Sequence, residues 1–262
     1  MKKSLLSIAA VLSLLLLLGA CNSTKNVVGY NPTKKSFHKS PNISDRMASH
    51  VILHHTGCNY DTAYMLLATN YGKVSSHYLI DRDGTILQLV DEKKRGHHAG
   101  ASSWFSMSDL NSATIGIEIV NTGFEPFPEV QIDSVMKVLD YLKTRYKFPA
   151  RNFIGHMDIA PGRKVDPNKY FPWKRLAEAG YGIWYDEEKA KQMSQDPAVV
   201  ASLRDPILNF MILGYGVRKP KVTIEAFKLH FTESDKTGEL SDYDKCVLQL
   251  LTDKVIEEAQ QE

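Results

Sequence analysis

Residues Gly155 to Pro167, reading Gly-His-Met-Asp-Ile-Ala-Pro-Gly-Arg-Lys-Val-Asp-Pro, constrain the fold more than any other stretch of the chain. One imidazole, two carboxylates, an ammonium and a guanidinium share a segment punctuated by glycine and proline, a composition that packing does not call for. Turns at those residues can bring His156 and Asp166 to one point although ten positions separate them, which no single helix face would do. Neutral imidazole with carboxylate suits a borderline metal, and zinc takes three such protein ligands while leaving a fourth position for water. Any fold for this chain must therefore deliver a third ligand to the loop. The best donor is the histidine pair in Val51-Ile52-Leu53-His54-His55-Thr56, a short apolar run that reads as a buried strand ending at a cleft. Cys58 offers a soft alternative, although Asp166 already completes a set of three.

The rest of the folded part alternates strand and helix. A helix is expected from Asp61 to Tyr71, with Met65, Leu66 and Leu67 towards the core. Ser76–Ile80 and Thr85–Val90 flank Asp81-Arg82-Asp83-Gly84, a hairpin signal. In Ala113–Asn121 the period of two puts Ile115, Ile117 and Ile119 on one face and Gly116, Glu118 and Val120 on the other, so a carboxylate is aimed at a face that glycine keeps open. Val130–Lys147 reads as an amphipathic helix with Val135, Val138, Leu139, Leu142 and Tyr146 inward, and basic residues at its C-terminal end. Such interleaving predicts an α/β class with one mixed central sheet flanked by helices. Gly180-Tyr181-Gly182 marks a change. Beyond it, Pro197–Leu213, Lys221–Phe231 and Ser241–Glu258 have helical periodicity, predicting a small all-helical domain over 181–262 after a catalytic domain over 45–180. His230, within Ala-Phe-Lys-Leu-His-Phe, reads as a packed histidine.

The first residues carry a targeting pattern. Lys2-Lys3 precede the apolar run Leu5–Leu18, too short to remain as a mature span, and Leu18-Gly19-Ala20-Cys21 follows. This resembles a bacterial lipoprotein signal over 1–20, implying cleavage before Cys21, acylation of that cysteine, and a solvated tether over 21–44. Asn22, where inner-membrane lipoproteins tend to have aspartate, favours the outer membrane, facing the periplasm. The remaining thiols, Cys58 and Cys246, are expected to be free. The formal charge of +2 falls to zero once Lys2 and Lys3 are removed; +4 lies on Cys21–Gln192 and −4 on Met193–Glu262. Nothing argues for nucleic acid, and a mildly basic front half suits an anionic polymer.

With these residues in view, five blocks in order carry a resemblance: Val51–Thr56, Ser76–Ile80, His98-Ala99-Gly100, Ile115–Asn121 and His156–Asp166. Together they are similar to the zinc N-acetylmuramoyl-L-alanine amidases of the AmpD/AmiD type, within the amidase and peptidoglycan recognition superfamily. The helical tail, with Val222–Phe231, is similar to the peptidoglycan-binding-like region of the lipid-anchored members. The resemblance implies one zinc on His54, His156 and Asp166, not His55, with Glu118 and Lys164 as the catalytic pair. It implies hydrolysis of the amide between N-acetylmuramic acid and L-alanine in peptidoglycan or its muropeptides, by a monomer anchored through lipid on Cys21. His98 either lines the substrate cleft or fixes a loop, and it is placed with Asn121 among the substrate-binding residues. Two alternatives are a binding-only recognition protein, although such proteins have usually lost zinc ligands that this chain keeps, and a structural lipoprotein tethering membrane to wall, which would need no such polar constellation.

Overall fold

Val51, Ile52 and Leu53 are wholly buried on both faces of strand β1 (His50–His55), as in a strand covered from both sides. In the computed structural model, which describes residues 41–42 and 44–261, β1 is the second-last strand of a five-stranded sheet ordered β3-β2-β4-β1-β5. The expected signal, Cys21 and most of the tether lie outside the described residues. Strand β4 (Thr114–Ile119) runs parallel to β1 and pairs His54 with Glu118, and β5 (Phe153–Gly155) runs parallel on the other side and pairs Leu53 with Gly155. Strand β2 (Tyr78–Ile80) extends the parallel set beside β4, and β3 (Ile86–Gln88) closes the edge antiparallel to β2. The sheet is mixed, as expected, with four parallel strands, and the C-terminal ends of β1, β4 and β5 lie side by side where a cleft forms in such sheets.

Side-chain alternation assigns the two faces. Val51, Leu53, Ile115, Ile117, Ile119 and Phe153 share one core with Ile132, Val135, Val138, Leu139 and Leu142. The last five come from α3 (Glu129–Tyr146), which among the described residues follows α1 (Tyr60–Ala68) and the single turn α2 (Leu110–Ala113). Helix α3 is tied to the sheet by Gln131, whose amide nitrogen donates to the Ile80 and Val120 carbonyls. Helix α1 begins one residue earlier than expected because Asn59 caps it by accepting from Thr62 N–H. It buries only Ala63, while Met65 is exposed and Leu66 and Leu67 are partly covered, because it lies over a small patch formed with Leu79 and Val120.

Ile52 and Ile154 point to the opposite face, into a second core made largely by the C-terminal helices. On the way come the single turn α4 (His156–Ile159) and the short helix α5 (Trp173–Glu178). Then come α6 (Glu187–Ser194), α7 (Pro197–Ser202), α8 (Pro206–Leu213), α9 (Pro220–Phe231) and α10 (Asp242–Ala259). The single helix expected over Pro197–Leu213 is two. Pro206 disfavours helical backbone at Asp205, and the Asp205 carboxylate caps the second helix through Ile207 N–H. Residues from Asp45 onward form one compact unit.

Candidate metal centre

Periodicity along β1 separates the two histidines of the pair. His54 follows Ile52 onto the face that also carries Gly116 and Glu118, whereas His55 turns towards the other side, where its Nδ1 accepts from Asn168 N–H. Strand β5 ends at Gly155 and the chain turns at once into α4, so His156 stands beside the end of β1. The stretch read as a loop therefore starts as a helical turn, because the Asp158 carboxyl accepts from Gly155 N–H. Asp166 returns to the same place, its carbonyl accepting from Met157 N–H.

Three ligand atoms converge as a result. His54 Nδ1 and His156 Nδ1 are 2.8 Å apart and lie 3.1 and 3.0 Å from Asp166 Oδ2, all three residues buried. Hydrogen bonds on the far side decide what these atoms offer. His156 Nε2 is 3.0 Å from the Ala99 carbonyl, which can only accept, so the proton is on Nε2 and the Nδ1 lone pair faces inward. A parallel chain stands behind His54. The Thr114 hydroxyl donates to the Leu110 carbonyl at 2.6 Å, His98 Nε2 lies 3.4 Å from that hydroxyl, and His98 Nδ1 lies 3.1 Å from His54 Nε2. Read from the carbonyl, each link donates in one direction, leaving Nδ1 of His54 unprotonated as well. Two imidazole lone pairs and a carboxylate oxygen at mutual contact distance repel one another unless a cation lies among them. Sides of about 3 Å match zinc–ligand bonds of ~2.0–2.2 Å. The residues therefore fit zinc.

Electrostatics agrees. Burial, then the neighbouring His156, lowers His54 to about 4, so it stays neutral as a ligand must. Glu118 shows the reverse. Burial and then the Asp166 charge push it up to about 8, with Lys164 opposing. Its Oε2 is buried and has no hydrogen-bond partner among the described residues. A carboxylate left orphaned beside a ligand triad is costly unless a substrate or water uses it.

Lys164 is half-buried, its amide fixed on the Ala160 carbonyl, with its charge near Glu118 and His54. Asn121, read from sequence as substrate-binding, and His98, read as either lining the cleft or fixing a loop, have their polar atoms turned inward. His98 stands behind His54, and burial, followed by the nearby His54, keeps it well below its ordinary value. Asn121 holds the loop after β4, its Oδ1 accepting from Gly123 and Asn168 and its Nδ2 donating to Glu125. The open space assigned to Gly116 is filled by His98: a Cβ there would lie 2.4 Å from the imidazole Cγ. A glycine two residues before a strand carboxylate was the one sequence signal for this packing. Cys58 is free, and its Sγ points at the Thr56 carbonyl rather than at the triad.

Residues 44–169 match the family described as N-acetylmuramoyl-L-alanine amidase. The chain is 30% identical over 267 residues to N-acetylmuramoyl-L-alanine amidase AmiD of Escherichia coli (strain K12), covering 91% of this chain and 95% of that protein. Among solved structures it resembles AmpDh3 from Pseudomonas aeruginosa, with a TM-score of 0.74 and 28% identity over 84% of this chain and 97% of that one. It also resembles E. coli AmiD solved in complex with the substrate anhydro-N-acetylmuramic acid-L-Ala-D-gamma-Glu-L-Lys, with a TM-score of 0.70 and 27% identity over 84% of this chain and 94% of that one.

Proposed function

The chain belongs to the N-acetylmuramoyl-L-alanine amidase family, and from that premise we propose that it is a zinc-dependent hydrolase of the amide joining N-acetylmuramic acid to L-alanine in peptidoglycan or its muropeptides. The observation that carries this reading is the meeting of His54 Nδ1, His156 Nδ1 and Asp166 Oδ2 beside an orphaned Glu118 carboxyl.

Held by those three atoms, zinc supplies Lewis acidity, drawing charge from a carbonyl oxygen and making water in its reach more acidic. The protein does the rest. Glu118 takes one proton from the attacking water, whose oxygen forms the new bond to the lactyl carbonyl carbon, and returns that proton to the alanine nitrogen as the C–N bond breaks. Its raised pKa suits a group that must both accept and donate near neutrality. Lys164 places positive charge beside the oxyanion that develops on the carbonyl oxygen. His98, Thr114 and the Ala99 carbonyl fix the ring orientation and tautomer of the two histidines, and Asn121 with Asn168 holds the loops that frame the cleft.

The same reading places the enzyme in the bacterial envelope as a monomer, tethered by lipid on Cys21 to the outer membrane and facing the periplasm. The muropeptide named for the E. coli AmiD complex is the natural assay substrate. Chelation should abolish release of its peptide and zinc should restore it. Full turnover by protein shown to be free of metal would overturn the reading.

A further inference from the structure

Asp158 is an acidic side chain that the proposed chemistry does not use, yet it is 1% exposed and every partner it has is specific. It lies two residues after His156 in α4. Its Oδ2 accepts from Gly155 N–H at 2.8 Å, which closes the turn locally. The same oxygen accepts from His230 Nδ1 at 2.8 Å, and Oδ1 accepts from the Tyr215 hydroxyl at 2.5 Å. Both donors belong to the helical region. His230, on α9, is held flat between Trp173 and Phe231, each with its ring centroid 3.9 Å away, and its other nitrogen is buried without a partner among the described residues. Tyr215 follows α8 and packs edge-on against Trp104 and Phe210. Helix α9 touches the loop a second time. A Cβ at Gly162, between the two metal ligands of the loop, would lie 2.8 Å from Val222 Cγ1.

A four-residue helical turn has almost no stability of its own, since nucleating it fixes several residues for one hydrogen bond. The α4 turn stays formed because Asp158 closes it, and a carboxyl this buried stays in place only while its remaining lone pairs find donors. His230 and Tyr215 are those donors. We propose that they are positioning residues for the metal centre: by clasping Asp158 they hold the turn that carries His156, so the helical region sets how tightly the site binds zinc. This inference rests on the zinc reading above, and it gives 181–262 a task at the catalytic centre in addition to any contact with glycan.

The test is the zinc dissociation constant of the full-length mature chain, measured by chelator competition, with the melting temperature of the metal-free protein recorded alongside. Tyr215→Phe, His230→Leu and His230→Gln should each weaken zinc binding by about 10- to 100-fold, the usual cost of losing a partner that orients a ligand. His230→Asn sets its amide nitrogen where Nδ1 stands, whereas glutamine reaches the place of the partnerless Nε2. Asparagine alone should therefore stay within about threefold of wild type, a loss of under 1 kcal/mol. If all four variants bind zinc as wild type does, whatever their melting temperatures, the clasp is packing and the inference fails. Equal losses for asparagine and glutamine would likewise overturn it, since the imidazole shape and not the donated hydrogen bond would then matter. A wild-type protein that binds no zinc would instead overturn the metal reading, and this inference with it.

Discussion

Two buried polar clusters in this molecule are built on opposite terms. Around Lys228 in the helical region, every charge is answered. The wholly buried ammonium bonds the Asp235 carboxylate and donates to the Glu239 carbonyl at 2.8 Å. Asp244, 3.6 Å away, accepts from Thr232, Ser234 and Ser241. At the strand ends, by contrast, three lone-pair atoms face one another with no proton between them and Glu118 Oε2 has no hydrogen-bond partner among the described residues. The first cluster is complete without a ligand and pins the loop after α9; the second becomes favourable only when something positive enters. Buried charge alone does not mark a functional site. Buried charge that the chain leaves unanswered does.

The sharpest way to break this comparison is to remove one acidic group from the incomplete cluster at a time. Asp166→Ala deletes a ligand, so bound zinc, the zinc-dependent part of the melting temperature and all measurable turnover should disappear together. Glu118→Ala keeps the three ligands. Zinc per chain should stay near one while peptide release falls by roughly 10²–10⁴, the range for a positioned general base. Zinc loss in the Glu118 variant would mean that the carboxylate is a ligand and that the cluster has been divided wrongly. Lys164→Ala comes next, with a fall of about 10²–10³ in kcat and zinc retained, as for loss of one oxyanion donor. A change confined to KM would assign Lys164 to substrate binding instead.

The complete cluster should answer in the other currency. Lys228→Met leaves the buried Asp244 carboxylate without its cation and should cost about 3 kcal/mol of unfolding free energy, read by urea denaturation, while zinc affinity per folded molecule stays unchanged.

Acidity gives a smaller contrast, with opposite slopes. Glu118 titrates near 8 in the metal-free fold against an unfolded value of 4.5, so the native state keeps a proton that the unfolded chain has lost. The Glu118 contribution to the stability of metal-free protein should therefore fall as pH rises from 4.5 to 8, and Glu118→Gln should remove that contribution. Asp235, lowered to about 2 mainly by its bond to Lys228, adds stability that is complete above 3.8 and is lost as pH falls through 2. His50 and His77, each lowered to about 4 mainly by burial, stabilise above 6.5 and stop doing so as pH falls from 6.5 through 4. Calorimetry of the metal-free protein at pH 2, 4, 6.5 and 8.5 separates these; a Glu118→Gln profile identical to wild type would show that the strand carboxyl is solvated.

What could be read in the chain by itself was whatever depends on short-range period or on residue chemistry. Alternation in Ile115–Ile119 placed Glu118 opposite the isoleucines because a strand has no other way to direct side chains, and the same rule separates His54 from His55. The ligand types were legible because few side chains bind zinc and the loop held two of them. Boundaries set by competition between neighbours were less so, as the break at Asp205-Pro206 shows. Tertiary structure alone decided which imidazole nitrogen faces inward, since that depends on carbonyls and a hydroxyl reached across the fold: Ala99 lies 57 positions from His156, and His98 lies 44 from His54. It also decided that His230, read as simple packing, reaches over 72 positions to Asp158. Local pattern fixes the direction in which a side chain leaves the backbone, but the partner that awaits it is set by which distant segments the whole core brings together.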